Sequence, residues 1–273
     1  MTFHINILET GSSGNSVIID GVIMLDAGVP ETRVRDTYHV NLKELCLLFV
    51  SHKHSDHKSL PLIRTCIKNG TDIRIPQDVY DEIQEEGRLD ISKYDNITCH
   101  DKELSFSKII KGITYHFTLL PQKHHDIINY GIVIEKENER LLYVTDLDTV
   151  QPTEIGPGLM EAGSFDVIIM EGNYDEIWLR EYIQTSIEAF TGETYDVSNL
   201  TDTELSKFVK TNYQDLPKSL RQDLFRAVQN MRHLSKQQAR AYVSTHLNPK
   251  GIYYEVHRSS KYYERPTDWD RHL

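Results

Sequence analysis

The segment Ser51-His52-Lys53-His54-Ser55-Asp56-His57 places three histidines and an aspartate within six positions, directly after the apolar run Leu45 to Val50. Imidazole nitrogens and carboxylate oxygens are ligands for zinc and similar divalent ions. His52 and His54 stand two apart in an extended loop and can face one ion. Asp56 and His57 open the element that follows and can turn toward a second. A solvated polar loop is the plain alternative, but three histidines at this spacing point to a metal.

Such a loop needs a scaffold, and the flanking sequence supplies one. Ser16 to Asp20 and Val22 to Asp26 read as two strands joined at Asp20-Gly21, a dipeptide suited to a tight hairpin turn. The spacing predicts a buried strand over Leu45 to Val50, the histidine loop, then a helix from Leu60 to Lys68 with Pro61 in its first turn and Gly70 past its end. A helix is expected over Gln77 to Glu86. Hairpins are expected over Lys108 to Leu120, turning at Lys111-Gly112, and over Tyr130 to Val144, turning near Asn138; Asp166 to Met170 is a further buried strand. After Tyr174 the period changes. Asp175 to Ala189, Thr201 to Lys210, Pro217 to Met231 and Ser235 to Thr245 carry apolar residues at helical spacing, and Ile252 to Val256 returns to strand. Residues 175–230 are therefore expected to be a helical insertion within a single domain covering 1–273.

Composition narrows the classes. The 273 residues hold 39% hydrophobic and 26% charged side chains, ordinary globular values. The longest apolar stretch is far short of a bilayer span, so no membrane segment is expected. No secretory signal is read at the N-terminus. Cys46, Cys66 and Cys99 are odd in number and widely spaced, which suits a reducing compartment and a cytoplasmic location. The net charge of −11 is a poor surface for gripping a long polyanion. From Arg232 onward, however, basic side chains outnumber acidic ones by eight to four. An acidic body with one cationic region favours a compact anionic substrate over a duplex.

His-x-His-x-Asp-His after a hydrophobic strand resembles the signature of the metallo-β-lactamase superfamily. The resemblance extends to Gly11-Ser12-Ser13-Gly14-Asn15-Ser16 and Leu25-Asp26-Ala27-Gly28, which look like the opening of the ribonuclease Z-like and YycJ-like branches. Thr145-Asp146-Leu147 looks like the family's bridging aspartate, and His257-Arg258-Ser259-Ser260-Lys261-Tyr262 like its final histidine motif. It implies an α/β fold, the αββα sandwich with a dinuclear metal site at the sheet edge. By resemblance, His52, His54 and His125 ligate one ion, Asp56, His57 and His257 the other, and Asp146 bridges them. Two neighbouring cations independently require an anionic ligand between them. His124 sits beside His125, and neighbours in an extended segment point oppositely. The following Asp126 and the spacing to Asn129-Tyr130-Gly131 favour His125. Asp26 is implied to orient the histidine loop, a support that metal sites need. Gly11 to Ser16 is expected to pack backbone closely beneath it.

His233, before Ser235, resembles a catalytic proton donor in these branches; the alternative is a neighbour of a helix cap at Ser235. Arg232, Lys236 and the run Glu171-Gly172-Asn173-Tyr174-Asp175 depart from the usual pattern at places that bear on substrate. Tyr253, Tyr254, Tyr262 and Tyr263 flank His257 among Arg258, Lys261 and Arg265, a mixture suited to stacking a base and holding its phosphate, or to strand packing. The implied activity is phosphodiester hydrolysis on two divalent ions, zinc first and manganese second, with Asp56 and His233 in catalytic roles. The implied substrate is a small anionic 3′,5′-cyclic nucleotide, as for the similar anti-Pycsar phosphodiesterases that counter bacterial cyclic-nucleotide signalling. A YycJ-like or ribonuclease Z-like nuclease acting on DNA or RNA is the alternative, and a non-catalytic metal-binding scaffold the second. A homodimer is expected by resemblance alone.

Overall fold

Alternation of apolar side chains decides the architecture. In the strand Ile23–Leu25, Ile23 and Leu25 join one apolar cluster while Met24 joins another. In Glu139–Val144, Leu141 and Tyr143 join the first cluster, whereas Leu142 and Val144 join a third. A strand buried on both faces must lie between layers, and these two belong to different sheets facing each other across the first cluster.

The computed structural model describes residues 2–124, 127–148, 162–193, 196–197, 200–211, 216–259 and 261–263. The first half runs β1 (Ile5–Glu9), β2 (Ser16–Ile19), β3 (Ile23–Leu25), α1 (Glu31–Asp36), β4 (Leu47–Phe49), α2 (Leu60–Lys68), β5 (Asp72–Ile75), α3 (Gln77–Glu86) and β6 (Ile97–Cys99). The second sheet is built from β7 (Ser105–Ile110), β8 (Ile113–His124), β9 (Ile127–Lys136), β10 (Glu139–Val144) and β11 (Phe165–Glu171). Helices α4 (Glu176–Thr191), α5 (Asp202–Thr211), α6 (Lys218–Asn230) and α7 (Lys236–His246) precede the last strand, β12 (Leu247–Val256). One sheet has the order β1-β2-β3-β4-β5-β6 and the other β12-β11-β10-β9-β8-β7.

Helices α2 and α3 cover the outer face of the first sheet through Leu62, Ile63, Cys66, Val79 and Ile83. Helix α7 covers the outer face of the second through Ala239 and Val243. The result is the α/β, αββα sandwich that the resemblance implied. The helical stretch after Tyr174 makes its own cluster, in which Leu179 and Ile183 of α4 meet Leu205 and Val209 of α5 and Leu224 and Ala227 of α6. Among the described residues no helix is long and apolar enough to cross a membrane.

Local chemistry sets the element ends. Asp20 and Gly21 turn the β2–β3 hairpin at φ 52° and 73°, and the Val22 N–H closes the turn on the Ile19 carbonyl before Ile23 pairs with Ile19. Ser235 caps α7 by accepting from the Gln238 N–H, while the Gln238 side chain accepts from the Ser235 N–H. Strands β1, β5 and β6 and helix α1 were not among the expected elements; β5 and β6 have four and three residues and carry too short a period to be read.

Strand direction matters most for the site. β3 and β4 are parallel, as are β10, β11 and β12. Their C-terminal ends, with that of β8, lie along one edge of the sandwich, the edge where open α/β sheets bind ligands. The segment leaving β4 is held by His100, whose Nε2–H donates to the Val50 carbonyl at 2.7 Å and whose ring stacks on Phe49. Burial pushes His100 down to about 4. Its folded value is below the ordinary one near 6.5, so the stability it contributes is present above that value and is lost as pH falls toward 4, by about 3 kcal/mol in all. Urea unfolding in EDTA should therefore show a steeper decline from pH 7 to 4.5 in the wild type than in His100→Gln, which keeps the donor and removes the titration. Equal slopes would contradict this.

Candidate metal centre

Apart from His125, and from His233 in the turn between α6 and α7, each sequence-expected residue is placed by the end of a strand or by the loop after one. Asp26 follows β3, the histidine loop follows β4, Asp146 follows β10 and His257 follows β12. Asp26, Asp146 and His257 all have left-handed backbone, φ 58°, 54° and 55°, which turns the chain sharply at the sheet edge. Such non-glycine conformations cost of order 1–3 kcal/mol and cluster at functional sites.

Asp26 is fully buried and orients the loop. Its Oδ1 accepts from the Ser51 N–H at 2.7 Å, and its Oδ2 accepts from Tyr143 OH at 2.6 Å, His57 Nδ1 at 2.7 Å and Ser51 Oγ at 3.0 Å. The Ser51 hydroxyl also lies 3.0 Å from His52 Nδ1. The Nδ1 protons of both rings are thus directed to Ser51 and Asp26, which turns both Nε2 atoms toward Asp146.

The backbone beneath is pressed equally close. Asn15 N–H donates to the Asp56 carbonyl at 2.7 Å, and a Cβ on Gly28 would lie 1.7 Å from that oxygen. Only glycine fits there, and the expected packing of the Gly11–Ser16 turn against the loop has this form. From outside, Asp78, Glu82 and Glu86 along one face of α3 pair with Lys53, Lys58 and Arg64, tying α3 to the loop and to α2.

Asp146 stands at the centre, almost wholly buried. Its Oδ2 lies 2.8 Å from His57 Nε2 and 3.1 Å from His52 Nε2; its Oδ1 lies 3.0 Å from His257 Nδ1 and 3.3 Å from His233 Nδ1. Asn129 pins this turn by donating to the carbonyls of Thr145 and Asp146. Three groups of potential ligand atoms result, each with its members within 4.8 Å of one another: His52, His54, His124 and Asp146; Asp56, His57, Asp146 and His257; and Asp146, Glu171, His233 and His257. Asp146 belongs to all three.

The first two groups bring together the residues expected as ligands other than His125. The ring brought to His52 and His54 is that of His124, at centroid distances of 5.4 and 5.2 Å, whereas His125 and Arg265 lie outside the described residues. His124 ends β8, whose ladder to β9 runs to the pair His124–Ile127. Glu171 is the further residue that the sequence reading gave no role. It ends the apolar strand β11, fully buried, with Oε2 3.1 Å from His233 Nδ1 and 3.4 Å from His257 Nδ1. A carboxylate closing a wholly apolar run was the available signal. Asn173 also contributes, donating to the His257 carbonyl at 2.9 Å.

Electrostatics follow the geometry. Burial works against the charged form of His233, yet Glu171 and Asp146 outweigh it and raise the ring to about 10. Burial likewise opposes the charge on Asp56, but His257 and His57 hold its carboxyl down to about 2. Burial pushes His124 down to about 3, keeping the imidazole neutral as a ligand must be.

These donors fit divalent ions. Asp146 Oδ1 and His257 Nε2 are buried and make no hydrogen bond. A neutral imidazole with its proton on Nδ1 offers Asp146 only a lone pair, a repulsive contact unless a cation lies between. Nitrogen and oxygen donors in sets of four suit zinc.

Against this geometry the comparisons are direct. A family model described as the beta-lactamase superfamily domain matches residues 17–202, more than half of the chain, and the protein belongs to that superfamily. Its members are typically metal-dependent hydrolases. The chain is similar to the short form of human tRNase Z, with 15% identity and a TM-score of 0.44 over 65% of this chain and 81% of that one. It is also similar to Zn(2+)-bound PqqB from Methylobacterium extorquens, at 14% identity and a TM-score of 0.43 over 62% and 72%. A third similar structure is the metallo-beta-lactamase fold protein YhfI from Bacillus subtilis, at 16% identity and a TM-score of 0.46 over 76% and 91%. None of the curated proteins matches the chain.

Tyr143→Phe removes one of four donors to Asp26 without touching a ligand. It should lower metal affinity about tenfold, read by chelator competition, while unfolding in EDTA changes by only about 1 kcal/mol. Gly28→Ala should abolish metal binding altogether, and zinc uptake at the wild-type level by that variant would contradict the packing described.

Proposed function

We propose that the protein is a phosphodiesterase working on two divalent ions, zinc in the first instance. The observation that carries this reading is the single carboxylate of Asp146 shared by two four-donor groups on the wall of a cleft rimmed with cations. That cleft measures about 830 Å³, and Arg226, Arg232, Arg258 and Lys261 line it together with Ser12 and Ser13. Four cations at one opening of a protein with net charge −11 make a local attraction for a phosphate.

His52, His54, His124 and Asp146 would hold one ion, and Asp56, His57, Asp146 and His257 the other. When bound, such ions polarise a phosphoryl oxygen and make water a nucleophile near neutral pH. The chain's own groups do the rest. The rim arginines bind and orient the phosphate. Asp56, held as a carboxylate, faces the cleft and can accept a proton from the attacking water. His233 is one-fifth exposed and lines the same cleft; with Nδ1 held by Glu171, its Nε2 is the ring's other proton site and can protonate the departing alkoxide.

For the substrate we take a 3′,5′-cyclic nucleotide. Support comes from the cleft volume, which lies in the range of small-ligand sites, and from an acidic body that repels long polyanions. The similarity to anti-Pycsar phosphodiesterases favours the same choice. A nuclease acting on DNA or RNA is the second reading, favoured by the continuation of the cleft past Arg232.

Two measurements test these assignments. Wild-type protein with zinc or manganese should release nitrophenol from bis-p-nitrophenyl phosphate, and Asp56→Ala should not; absence of metal-dependent turnover would favour a scaffold. His233→Ala should slow opening of cyclic CMP, UMP or AMP by about 10²-fold or more, yet slow nitrophenol release far less, because nitrophenolate leaves without a proton. Equal losses on both substrates would remove His233 from the acid role. Selective degradation of DNA or tRNA beside untouched cyclic nucleotides would replace the first substrate by the second.

A further inference from the structure

The cavity does not end at Arg232. That side chain also lines a hollow of about 510 Å³ over α5 and α6 and a third of about 360 Å³ beside it. Asp148, whose carboxylate lies 3.7 Å from His124 Nδ1, lines the first of these, so the hollow opens next to the candidate ligands. Three adjoining hollows with a shared arginine form a trough leading away from Asp146.

Its walls carry nucleotide-binding chemistry. Thr203, Ser206, Lys207 and Lys210 fall three, four and seven positions along one face of α5, and all line the trough. Among the described residues no ion pair engages Lys207, Lys210 or Arg232, and Asp148 is the one acidic side chain lining the two hollows over α5 and α6. Three cations against one carboxylate leave a local positive excess. Phe225 of α6 is 51% exposed and lines the third hollow with Lys210 and Arg232, an apolar ring next to two phosphate-binding groups. Exposed aromatic rings beside cations are the usual platform for a base and its phosphate.

We infer that the α5–α6 trough is a second nucleotide subsite, with Lys207, Lys210 and Arg232 on a phosphate and Phe225 under its base. Beyond the cyclic mononucleotide that the metal cleft alone can take, a substrate that also fills the trough carries a second phosphate besides the diester that is cleaved. A cyclic mononucleotide reaches the metal cleft and leaves the trough empty. A cyclic dinucleotide and a linear 5′-phosphorylated dinucleotide both supply the needed chemistry. This deepens the phosphodiesterase reading and rests on it.

The test compares cyclic AMP, cyclic di-AMP and pApA as substrates of the metal-loaded full chain. The variants are Lys207→Gln/Lys210→Gln and Lys207→Arg/Lys210→Arg. The ratio of kcat/KM for a two-phosphate substrate to that for cyclic AMP should fall about tenfold in the glutamine variant, mainly through KM, and return in the arginine variant. Which of cyclic di-AMP and pApA shows the fall identifies the source of the second phosphate. A ratio unchanged for both overturns the subsite. Binding separates this failure from failure of the hydrolase reading: a phosphorothioate pApA resistant to cleavage should bind the wild type about tenfold more tightly than the glutamine variant. Equal affinities overturn the subsite even where nitrophenol is released, whereas a wild type that releases none overturns the hydrolase reading.

Discussion

Four imidazole nitrogens lie within 3.3 Å of one buried carboxylate, and every other feature of the sheet edge serves to hold them there. A lone ionised aspartate in so dry a place is costly, and histidines packed around it are stable only when protonated or when a cation intervenes. The Nδ1 atoms of His52 and His57 face Ser51 and Asp26, so their Nε2 atoms are the ones that meet Asp146. Asp146 is therefore the carboxylate around which the candidate ligand groups gather, and the sandwich is the device that delivers it.

That delivery depends on several independent supports. The parallel ends of β3, β4, β10, β11 and β12 bring ligands from distant sequence positions to one edge. Left-handed turns at Asp26, Asp146 and His257 redirect the chain there, and their strain is offset by the hydrogen bonds each residue gains. Gly28 lets the Gly11–Ser16 turn close under the loop, and the α3 carboxylates tie it from outside. Helix α6, in the helical stretch after Tyr174, places Arg226 and Gln229 on the lining of the cleft, so that stretch contributes to the site.

Much of this was legible because short-range chemistry controlled it. The helices Leu60–Lys68 and Gln77–Glu86 have the bounds their periodicity and flanking residues indicate, and the turns at Asp20-Gly21 and Lys111-Gly112 occur where the dipeptides ask for them. The histidine loop announced its chemistry by residue type alone. Other features depended on tertiary geometry. Whether His124 or His125 turns inward is a matter of strand register, and a one-residue shift reverses every side chain. Glu171 is an ordinary carboxylate until β11 and β12 lie side by side and bring it to His257. Tyr143 reads as core, and its hydroxyl acquires meaning only across the sandwich, where it reaches Asp26.

The most direct test is an anomalous-scattering map from crystals of the zinc-loaded protein. The account requires two peaks roughly 3.5 to 4 Å apart with Asp146 between them, one among His52, His54 and His124 and the other among Asp56, His57 and His257. A single peak, or two that leave Asp146 outside both coordination spheres, would contradict it.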